Sequence, residues 1–492
     1  MLARIVRSLG PDGGAGGPRL WVVTRGAQAT GEEHGGLRVA AAPLLGLGKT
    51  IALEHPELWS GSIDLDPDTD PDADTLATLL LRDAAPDDDQ VAVRGGAVLV
   101  PRLTRCAPPA AAPAPVIRAD AVYLITGGLG GVGLLVANWL VDQGAAHLVL
   151  TGRTGLPDLS GRDDGTLPPD TAERAAAVRA LEERGATVRV AAADVCDEAA
   201  MRGLLDELRG GARPLAGVVH AAGLSGGQDL AESEPELFRA VLRPKTDGAW
   251  LLHELVADLP LDFFALMSSV ASVWGAAHLG AYTAANQFLD ALAAYRRARS
   301  LPAATLNWGR WDMVSGLGGR GRPERVAATG FRALDHETAL ARLGAVLAAG
   351  EGQRVVAEVD WAVVKPLLES RRVRPVLTGL GADEAPEQAG QQGAAADDEV
   401  LTWALGLPAG EREQALDEYV WQTLAEQLDV PRSEFTGDFN LLDFGYDSLG
   451  AMRTLAKFRQ ELRLDLETRR FFEISAEFWG RYLAESLAEQ HG

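Results

Sequence analysis

Short apolar stretches alternate with longer helical patterns across residues 120–350. The short stretches are bounded by turn residues and rich in branched or aromatic side chains, as is typical of buried strands. The candidate strands are Ala121–Thr126, His147–Thr151, Thr187–Ala192, Gly217–His220, Phe263–Ser268 and Ala303–Asn307. Regular alternation of strand and helix predicts an α/β fold built on a doubly wound parallel sheet.

Residues 1–118 also alternate short strands with helical stretches, but less regularly. Arg19–Thr24 and Gly61–Asp66 have the pattern of strands, and Gln90–Arg94 and Ala97–Arg102 flank Gly95-Gly96 as in a hairpin. A run of prolines and alanines at 107–115 then indicates a connector. These residues therefore form a separate predicted unit.

The C-terminal part changes character at about residue 380. Residues 380–399 have few apolar side chains, which predicts a flexible linker. Apolar residues then recur with a helical period in Ala415–Leu428 and Leu449–Leu462, which predicts a small helical domain over 400–490.

Charge and composition exclude several classes of protein. With 46 basic and 69 acidic residues, the 492-residue chain has a net charge of −23, which argues against a nucleic-acid binder. Two cysteines, Cys106 and Cys196, are too few for a disulfide framework or a Cys-rich metal site. Without a long apolar run or a signal peptide, the chain is expected to be cytoplasmic and not bound to a membrane.

One segment is similar to a phosphate-binding P-loop but lacks a glycine that the motif requires. Leu44–Thr50 contains Gly-Leu-Gly-Lys-Thr, but the motif requires a glycine at position 43, where Pro43 stands. The segment is interpreted as a loop that leads into a helix.

A glycine-rich turn between a strand and a helix predicts a dinucleotide site. The apolar strand ending at Thr126 runs into the turn, and the apolar helix Leu134–Val141 follows. The turn comprises Gly127, Gly128, Leu129, Gly130, Gly131, Val132 and Gly133. Glycines let the backbone approach a pyrophosphate, which the helix N-terminus favours electrostatically.

Residues at the ends of the later strands refine this prediction. Arg153 stands where an acidic residue would bind the ribose of NAD, and an arginine there favours the 2′-phosphate of NADPH. A solvent-exposed arginine without that role is the alternative. Asp194 and Val195 are expected near the adenine. Three small or polar residues end the fourth strand beside the cofactor: His220, Ala221 and Ala222.

Four polar residues have the pattern of a catalytic group. Ser269 ends a strand, Tyr282 lies 13 residues later, and Asn286 shares a helix face with Tyr282. Lys245 lies in the segment Arg-Pro-Lys-Thr-Asp. Ser268 is adjacent to Ser269, and one of the two serines is expected only to form hydrogen bonds at the strand end.

The motifs TGGLGGVG, HAAG, RPKTDG, SSVASVWG, AYTAAN and NWGRW together resemble the ketoreductase domain of modular type I polyketide synthases, in the short-chain dehydrogenase/reductase superfamily. The resemblance covers about 1–379. It implies a doubly wound Rossmann-like fold, with a structural subdomain at 1–118 and a catalytic subdomain at 119–379. It also implies NADPH-dependent reduction of a β-ketoacyl thioester to a β-hydroxyacyl thioester.

The resemblance assigns roles to the catalytic group. Tyr282 would donate a proton to the ketone oxygen, and Lys245 would ease that proton loss. Ser269 would hold the ketone oxygen, and Asn286 would hold Lys245 or a relay water. Two positions bear on stereochemistry. Trp274, eight residues before Tyr282, is the mark of A-type enzymes that form the L-hydroxyl product. Leu279, three residues before Tyr282, stands where the family usually has Gln or His. A tryptophan packed in the core is the alternative for Trp274.

The resemblance also covers the two ends of the chain. Residues 1–118 resemble a degenerate Rossmann-like unit without cofactor, and the unit is expected to be incomplete because the family's opening strands have no counterpart. The loop Met313–Arg322 is expected to be a lid or an ordinary surface loop. Gly-Tyr-Asp-Ser-Leu at 445–449 resembles an acyl carrier protein, with Ser448 carrying 4′-phosphopantetheine.

The expected partners follow from this resemblance. They are the carrier-bound β-ketoacyl substrate, other synthase domains or modules, and a phosphopantetheinyl transferase that loads Ser448. Two alternatives stay open: a catalytically silent reductase with only the carrier active, or a free-standing short-chain dehydrogenase. Epimerase activity at the α-carbon is a variant of the main interpretation.

Overall fold

A computed structural model describes most of the chain. The described residues are 2–9, 18–31, 36–69, 73–81, 88–106, 116–157, 168–312, 330–369, 372–380, 397–428, 431–432, 448–464, 466 and 478–491. They divide between two compact units: residues 1–321, 332–358 and 375–378 belong to the first, and residues 322–331, 359–374 and 379–492 to the second. In these described parts no helix is long and apolar enough to cross a bilayer.

Thirteen strands are found in the described residues. They are β1 Leu20–Arg25, β2 Trp59–Leu65, β3 Gln90–Arg94, β4 Ala97–Leu99, β5 Val122–Thr126, β6 His147–Gly152, β7 Thr187–Ala192, β8 Leu215–His220, β9 Phe263–Ser269, β10 Ala304–Trp308, β11 Phe331–Arg332, β12 Gln353–Val356 and β13 Glu358–Val359.

Sixteen α-helices accompany them in the same described parts. They are α1 Leu2–Leu9, α2 Ala42–Glu54, α3 Ala73–Leu80, α4 Gly131–Asp142, α5 Pro169–Glu183, α6 Glu198–Gly210, α7 Pro235–Arg243, α8 Ala249–Val256, α9 Ala271–Trp274, α10 Gly280–Arg297, α11 His336–Ala348, α12 Trp361–Leu368, α13 Asp397–Gly406, α14 Ala409–Leu428, α15 Ser448–Leu462 and α16 Trp479–His491. A π-helical turn at Pro244–Gly248 joins α7 to α8.

The main sheet of the first unit has seven parallel strands in the order β12-β10-β9-β8-β5-β6-β7. One apolar cluster packs on each face. The strand order reverses between β5 and β8, and open α/β sheets bind ligands at such a point. The predicted doubly wound fold is therefore confirmed, and each predicted central strand ends within two residues of the observed one.

A smaller four-stranded sheet, in the order β1-β2-β3-β4, precedes the main sheet. Its first three strands are parallel, and β3 and β4 form the predicted hairpin. The second hairpin strand ends at Leu99 instead of Arg102, because Pro101 has no N–H for further pairing. In the described residues β1 is an edge of this sheet.

The Gly-Leu-Gly-Lys-Thr segment lies inside α2, so the interpretation as a loop was wrong. Helix α2 packs on α10, and a Cβ at Gly46 would lie 2.9 Å from Ala284 Cα. A Cβ at Gly48 would lie 2.4 Å from the ring of Trp59. These glycines therefore allow close packing of a helix and do not bind a phosphate.

The second unit contains the four C-terminal helices α13–α16. They bury one apolar cluster, which includes Leu416, Val420, Phe458 and Leu483. The helical character of the predicted carrier domain is confirmed. Helix α13 already begins at Asp397, so the predicted linker 380–399 is too long at its C-terminal end.

Candidate active site

The glycine-rich turn forms a cradle with no room for side chains. Gly127 has a φ of +67°, and a Cβ there would lie 2.8 Å from Ala222. A Cβ at Gly133 would lie 2.3 Å from the carbonyl oxygen of Gly127. Helix α4 begins at Gly131, and no side chain caps its N-terminus. This cradle fits the pyrophosphate of a dinucleotide, because backbone and helix end can both approach it.

The other residues of the turn lie where the sequence predicts. Leu129 is buried, with its side chain beside Gly152 at the end of β6. Val132 lines the cavity described below. Gly128 has Leu150 as its neighbour, and a Cβ there would lie 2.8 Å from Leu150 Cβ. The cradle is thus closed by the neighbouring strand.

The remaining predicted cofactor residues follow the ends of three strands. Arg153 follows β6 and is exposed. Asp194 is exposed, with Oδ1 accepting from the N–H of Cys196 at 2.9 Å, and Val195 is buried against Gly248. These positions leave the Arg153 guanidinium and the Asp194 carboxylate accessible to a ligand.

His220 is the last residue of β8 and lies beside the cradle. Its Nδ1 lies 2.8 Å from Thr126 Oγ1, and burial, reinforced by the charge of Lys245, lowers the pKa of His220 to about 3. The imidazole is therefore neutral at physiological pH. Ala221 lines the cavity, and Ala222 abuts Gly127.

Lys245, Ser269 and Tyr282 surround one cavity of about 380 Å³. Trp308 and Trp311 form part of its wall. The serine comes from the end of β9, the tyrosine from the first turn of α10 and the lysine from the π-helical turn. Three separate elements thus converge at the carboxyl end of the main sheet.

The lysine is buried and held by the backbone. Lys245 Nζ donates to the carbonyl oxygen of Met267 at 2.6 Å and lies 5.9 Å from the centre of the Tyr282 ring. Burial lowers the pKa of Lys245 to about 8, and the charge of Asp290 opposes that shift. The ammonium form is thus near its titration point at physiological pH.

The tyrosine is subject to opposing effects. Burial raises the pKa of Tyr282, whereas hydrogen bonds involving Ser269 and Asn286 lower it. Asn286 Nδ2 donates to the backbone oxygen of Tyr282 at 2.8 Å. Asn286 Oδ1 is buried without a hydrogen-bond partner among the described residues. An acceptor in that position can hold an ammonium or a water.

The two adjacent serines have different surroundings. Ser268 Oγ lies 3.2 Å from Asn307 Nδ2 and donates to the backbone oxygen of Asn286 at 3.3 Å. Ser269 Oγ accepts from the N–H of Ala271 at 3.2 Å and interacts with Tyr282. The structure therefore directs Ser269, and not Ser268, toward the tyrosine.

The two stereochemical positions do not line this cavity. Trp274 ends α9 and is 2% exposed, whereas Leu279 precedes α10 and forms a bridge with Gln228. The predicted lid at 313–322 lies outside the described residues. Ser448 is the first residue of α15, and the loop that precedes it also lies outside them.

Sequence reasoning missed a buried polar group behind the serines. Asp290, Asn307, Ser272 and Thr305 are hydrogen-bonded to one another beside β9 and β10. One signal was present: Asp290 is four residues after Asn286 and eight after Tyr282, so all three share one helix face.

Comparisons with known proteins agree with this geometry. The family model described as KR domain matches residues 121–313. The model described as polyketide synthase extender module SpnB, Rossmann fold domain, matches 2–103, and the phosphopantetheine attachment site matches 418–476. Along the chain, the Rossmann model lies in the predicted structural region, the KR model in the catalytic region and the phosphopantetheine model in the carrier region.

A curated relative also belongs to a polyketide synthase. The pikromycin polyketide synthase component PikAIII of Streptomyces venezuelae is 37% identical over 467 residues, which are 91% of this chain and 28% of the relative. The chain thus spans less than a third of that relative's length.

Two solved structures match over most of their length. "Structure of A-type Ketoreductases from Modular Polyketide Synthase" is 37% identical with a TM-score of 0.66, covering 75% of this chain and 74% of that one. "Structure of A1-type ketoreductase" is 37% identical with a TM-score of 0.67, covering 77% and 76%. The chain belongs to the modular polyketide synthase family, with a Rossmann-fold ketoreductase of the short-chain dehydrogenase/reductase superfamily followed by a phosphopantetheine-binding carrier domain.

Proposed function

We propose that this protein reduces a β-ketoacyl thioester, carried on the phosphopantetheine of its carrier domain, to a β-hydroxyacyl thioester with the L configuration. The observation that supports the proposal most strongly is the convergence of Lys245, Ser269 and Tyr282 around one cavity, beside a cradle suited to a dinucleotide. NADPH supplies the hydride for this reduction when bound.

The cofactor would be held by residues from four strand ends. The backbone of Gly127–Gly133 and the N-terminus of α4 accommodate the pyrophosphate. The exposed guanidinium of Arg153 suits the 2′-phosphate that distinguishes NADPH from NADH. Asp194 and Val195 are placed for the adenine end, and the neutral His220 with Ala221 and Ala222 for the other side.

Proton donation falls to Tyr282. A phenol has an ordinary pKa of about 10, so it retains its proton until the ketone oxygen gains charge. The buried ammonium of Lys245, 5.9 Å from the ring centre, stabilises the phenolate that remains. Ser269 donates a hydrogen bond to the ketone oxygen and aligns it with Tyr282.

Asn286 completes the group from the next turn of α10. Its Nδ2 is used by the backbone of Tyr282, so its Oδ1 is the atom that can accept from Lys245 or from a water. A water in that position would pass a proton from solvent to Lys245, and Lys245 would return a proton to the Tyr282 phenolate after each turnover.

The L configuration is proposed from one residue of the sequence and from two similar structures. It rests on Trp274, the mark of A-type enzymes, and on the similarity to two solved structures described as A-type and A1-type. Because Trp274 is buried outside the cavity lining, the indole would act by shaping the path into the cavity and not by touching the reacting carbon. Leu279 would border the same path.

Ser448 is the proposed attachment point for 4′-phosphopantetheine, installed by a phosphopantetheinyl transferase. It begins α15, and a phosphodiester at a helix N-terminus is electrostatically favourable. The matching phosphopantetheine model at 418–476 supports this assignment. The other domains of a synthase are the proposed source and acceptor of the acyl chain.

Two other functions are less well supported. A silent reductase would not need Lys245, Ser269 and Tyr282 around an open cavity. A free-standing dehydrogenase of a diffusible alcohol would not need a phosphopantetheine attachment domain.

The proposal is tested by NADPH oxidation with a racemic α-methyl-β-ketoacyl thioester, followed by chiral analysis of the product. NADH replaces NADPH in a parallel reaction. We expect an L-hydroxyl product and faster turnover with NADPH. Tyr282→Phe should lower kcat by about 10²–10⁴-fold, the usual contribution of general acid catalysis.

Tyr295→Phe is the matched control, because Tyr295 lies on the same helix but packs against Trp250. It should retain activity. No NADPH oxidation by the unaltered protein would favour the silent reductase, and a D-hydroxyl product would contradict the stereochemical assignment alone.

A further inference from the structure

Asp290 is a buried carboxyl group two helical turns beyond Tyr282 on α10. It is 6% exposed and accepts from Ser272 Oγ at 2.6 Å, Thr305 Oγ1 at 2.8 Å and Asn307 Nδ2 at 2.9 Å. Burial raises the pKa of Asp290 above its ordinary value, and these donors oppose the rise by favouring the ionised form. A carboxylate with several donors is a stable arrangement in the interior, because its lost hydration is replaced.

The partners of Asp290 also hold the strand end that carries the catalytic serine. Asn307 Nδ2 lies 3.3 Å from the backbone oxygen of Ser269, and Ser272 Oγ lies 2.8 Å from the same atom. Asn307 also contacts Ser268 Oγ at 3.2 Å. Asn307 Nδ2 carries two protons, so it can donate to the carboxylate and to Ser269 together, whereas the single hydroxyl proton of Ser272 can go to only one of them. The carboxylate therefore holds the backbone of Ser269 in place mainly through Asn307.

A lysine of helix α2, which precedes β2 of the smaller sheet, contacts the polar group around Asp290. Lys49 on α2 is 8% exposed and donates to Gln287 Oε1 at 2.6 Å and to the backbone oxygen of Ser272. The buried ammonium and the buried carboxylate thus share Ser272 as a neighbour. Residues 1–118, the predicted structural subdomain, thus contribute a side chain directly to this network.

A negative charge at Asp290 raises the pKa of Lys245, against the effect of burial. The titratable groups that face Lys245 are Tyr282 and Asp290 on α10 and His220 on β8. His220 is neutral, and Tyr282 is neutral before the reaction. Asp290 is therefore the group whose negative charge favours the ammonium form of Lys245 against burial.

We infer that Asp290 is a positioning residue of the reductase: its carboxylate orients Asn307 and Ser272 against the strand end that carries Ser269. A consequence of this buried negative charge is that the ammonium form of Lys245 is favoured. The inference rests on the proposed function, in which Lys245 must be an ammonium when Tyr282 gives up its proton.

The test is the pH dependence of kcat for Asp290→Asn, which preserves the shape of the side chain and removes its charge. In the unaltered protein, activity should decline on the alkaline side as Lys245 loses its proton. In Asp290→Asn this decline should move downward by about one pH unit, the scale of one nearby charge. An unchanged alkaline limb would overturn the inference.

Ser272→Ala and Asp258→Asn are the matched variants. Ser272→Ala removes one hydrogen bond but keeps the carboxylate, so it should lower kcat without moving the alkaline limb. Asp258 is exposed and pairs with Arg209, and its replacement should change neither quantity. If Ser272→Ala moves the limb as far as Asp290→Asn, the effect is structural and the charge assignment is wrong.

A second measurement does not depend on catalysis. Lys245 is one of four lysines in the chain, so its labelling by acetic anhydride can be followed by mass spectrometry as the pH is varied. The apparent pKa of Lys245 should fall in Asp290→Asn and stay unchanged in Ser272→Ala. This readout works even if the proposed reduction fails, so the failures of the two proposals are distinguishable.

Discussion

The adjacent serines at the end of β9 are one backbone step apart and face different neighbours. Successive residues of a strand point to opposite faces, so Ser268 faces Asn307 while Ser269 faces Tyr282. We predict that Ser269→Ala lowers kcat by about 10²-fold, the usual loss for a donor to a developing oxyanion. The measurement is steady-state NADPH oxidation.

Ser268→Ala is the matched control for this prediction. It removes a hydrogen bond to Asn307 and should lower the melting temperature more than it lowers kcat. Equal losses of kcat in both variants would show that the serines act together, against the division that the structure indicates.

Glu54 provides a prediction about pH and stability. This residue ends α2 and accepts from the N–H of Leu230 at 2.7 Å and of His278 at 2.6 Å. Burial raises its pKa from 4.5 to about 7. Between these values the folded carboxyl retains a proton that the unfolded one has lost, so its contribution to stability declines as the pH rises.

Glu54→Gln should remove this decline. We expect the difference in free energy of unfolding, unaltered protein minus variant, to fall between pH 5 and pH 7 in urea titrations. Glu57→Gln is the control. His55 affects the pKa of Glu54 through its charge and also lies beside Glu57, which is beyond the end of α2. Parallel stability curves for the unaltered protein and Glu54→Gln would contradict the assignment to Glu54.

The turn between β5 and α4 contains two kinds of glycine, which differ in the space they leave for a side chain. Gly133 has no room for a Cβ, which would lie 2.3 Å from the oxygen of Gly127, whereas a Cβ at Gly130 would lie 3.2 Å from that oxygen. Gly133→Ala should therefore abolish NADPH binding and destabilise the protein. Gly130→Ala should weaken binding far less, because its φ of −82° suits any residue.

NADPH fluorescence titration and thermal unfolding of both variants check this prediction. A Gly133→Ala variant that binds NADPH as tightly as the unaltered protein would show that the turn is not the pyrophosphate site.

The elements differ in how far the sequence could predict them. Five of the six predicted strands are buried on both sides, so their continuous apolar runs identify them to within two residues; they are β5, β6, β8, β9 and β10. Strand β12 was missed because it is a short edge strand with an exposed first residue, and its pairing with β10 is a tertiary contact. Helix α2 was misjudged because its glycines are explained only by α10 and Trp59, which are distant in sequence.

The residues of the site also divide into those that local sequence can predict and those that depend on tertiary contacts. Ser269, Tyr282, Asn286 and Lys245 could be named because motif spacing identifies them. The contacts of Asp290 with Thr305 and Asn307 could not, since they depend on how α10 lies against β10. Local spacing could show that Asp290 shares a helix face with Tyr282, but not what that face meets.

For the whole molecule, the fused carrier predicts how substrate reaches the reductase. The predicted flexible linker, shortened to residues 380–396 by the start of α13, would span roughly 20–25 Å root mean square. Such a tether gives an effective concentration on the order of mM, so the carrier need not bind its reductase tightly. Reduction of a carrier-bound substrate should therefore be intramolecular.

Two variants, each prepared separately, test this delivery. Ser448→Ala cannot be loaded with phosphopantetheine but keeps Tyr282, whereas Tyr282→Phe can be loaded but lacks the proton donor. At micromolar concentration the mixture should reduce the carried β-ketoacyl group far more slowly than the loaded, unaltered chain, because it lacks the effective concentration of the tether. The rate of the mixture should rise with protein concentration, while that of the unaltered chain should not. Equal rates at low concentration would mean that the carrier docks tightly on any reductase, and that the linker contributes nothing to delivery.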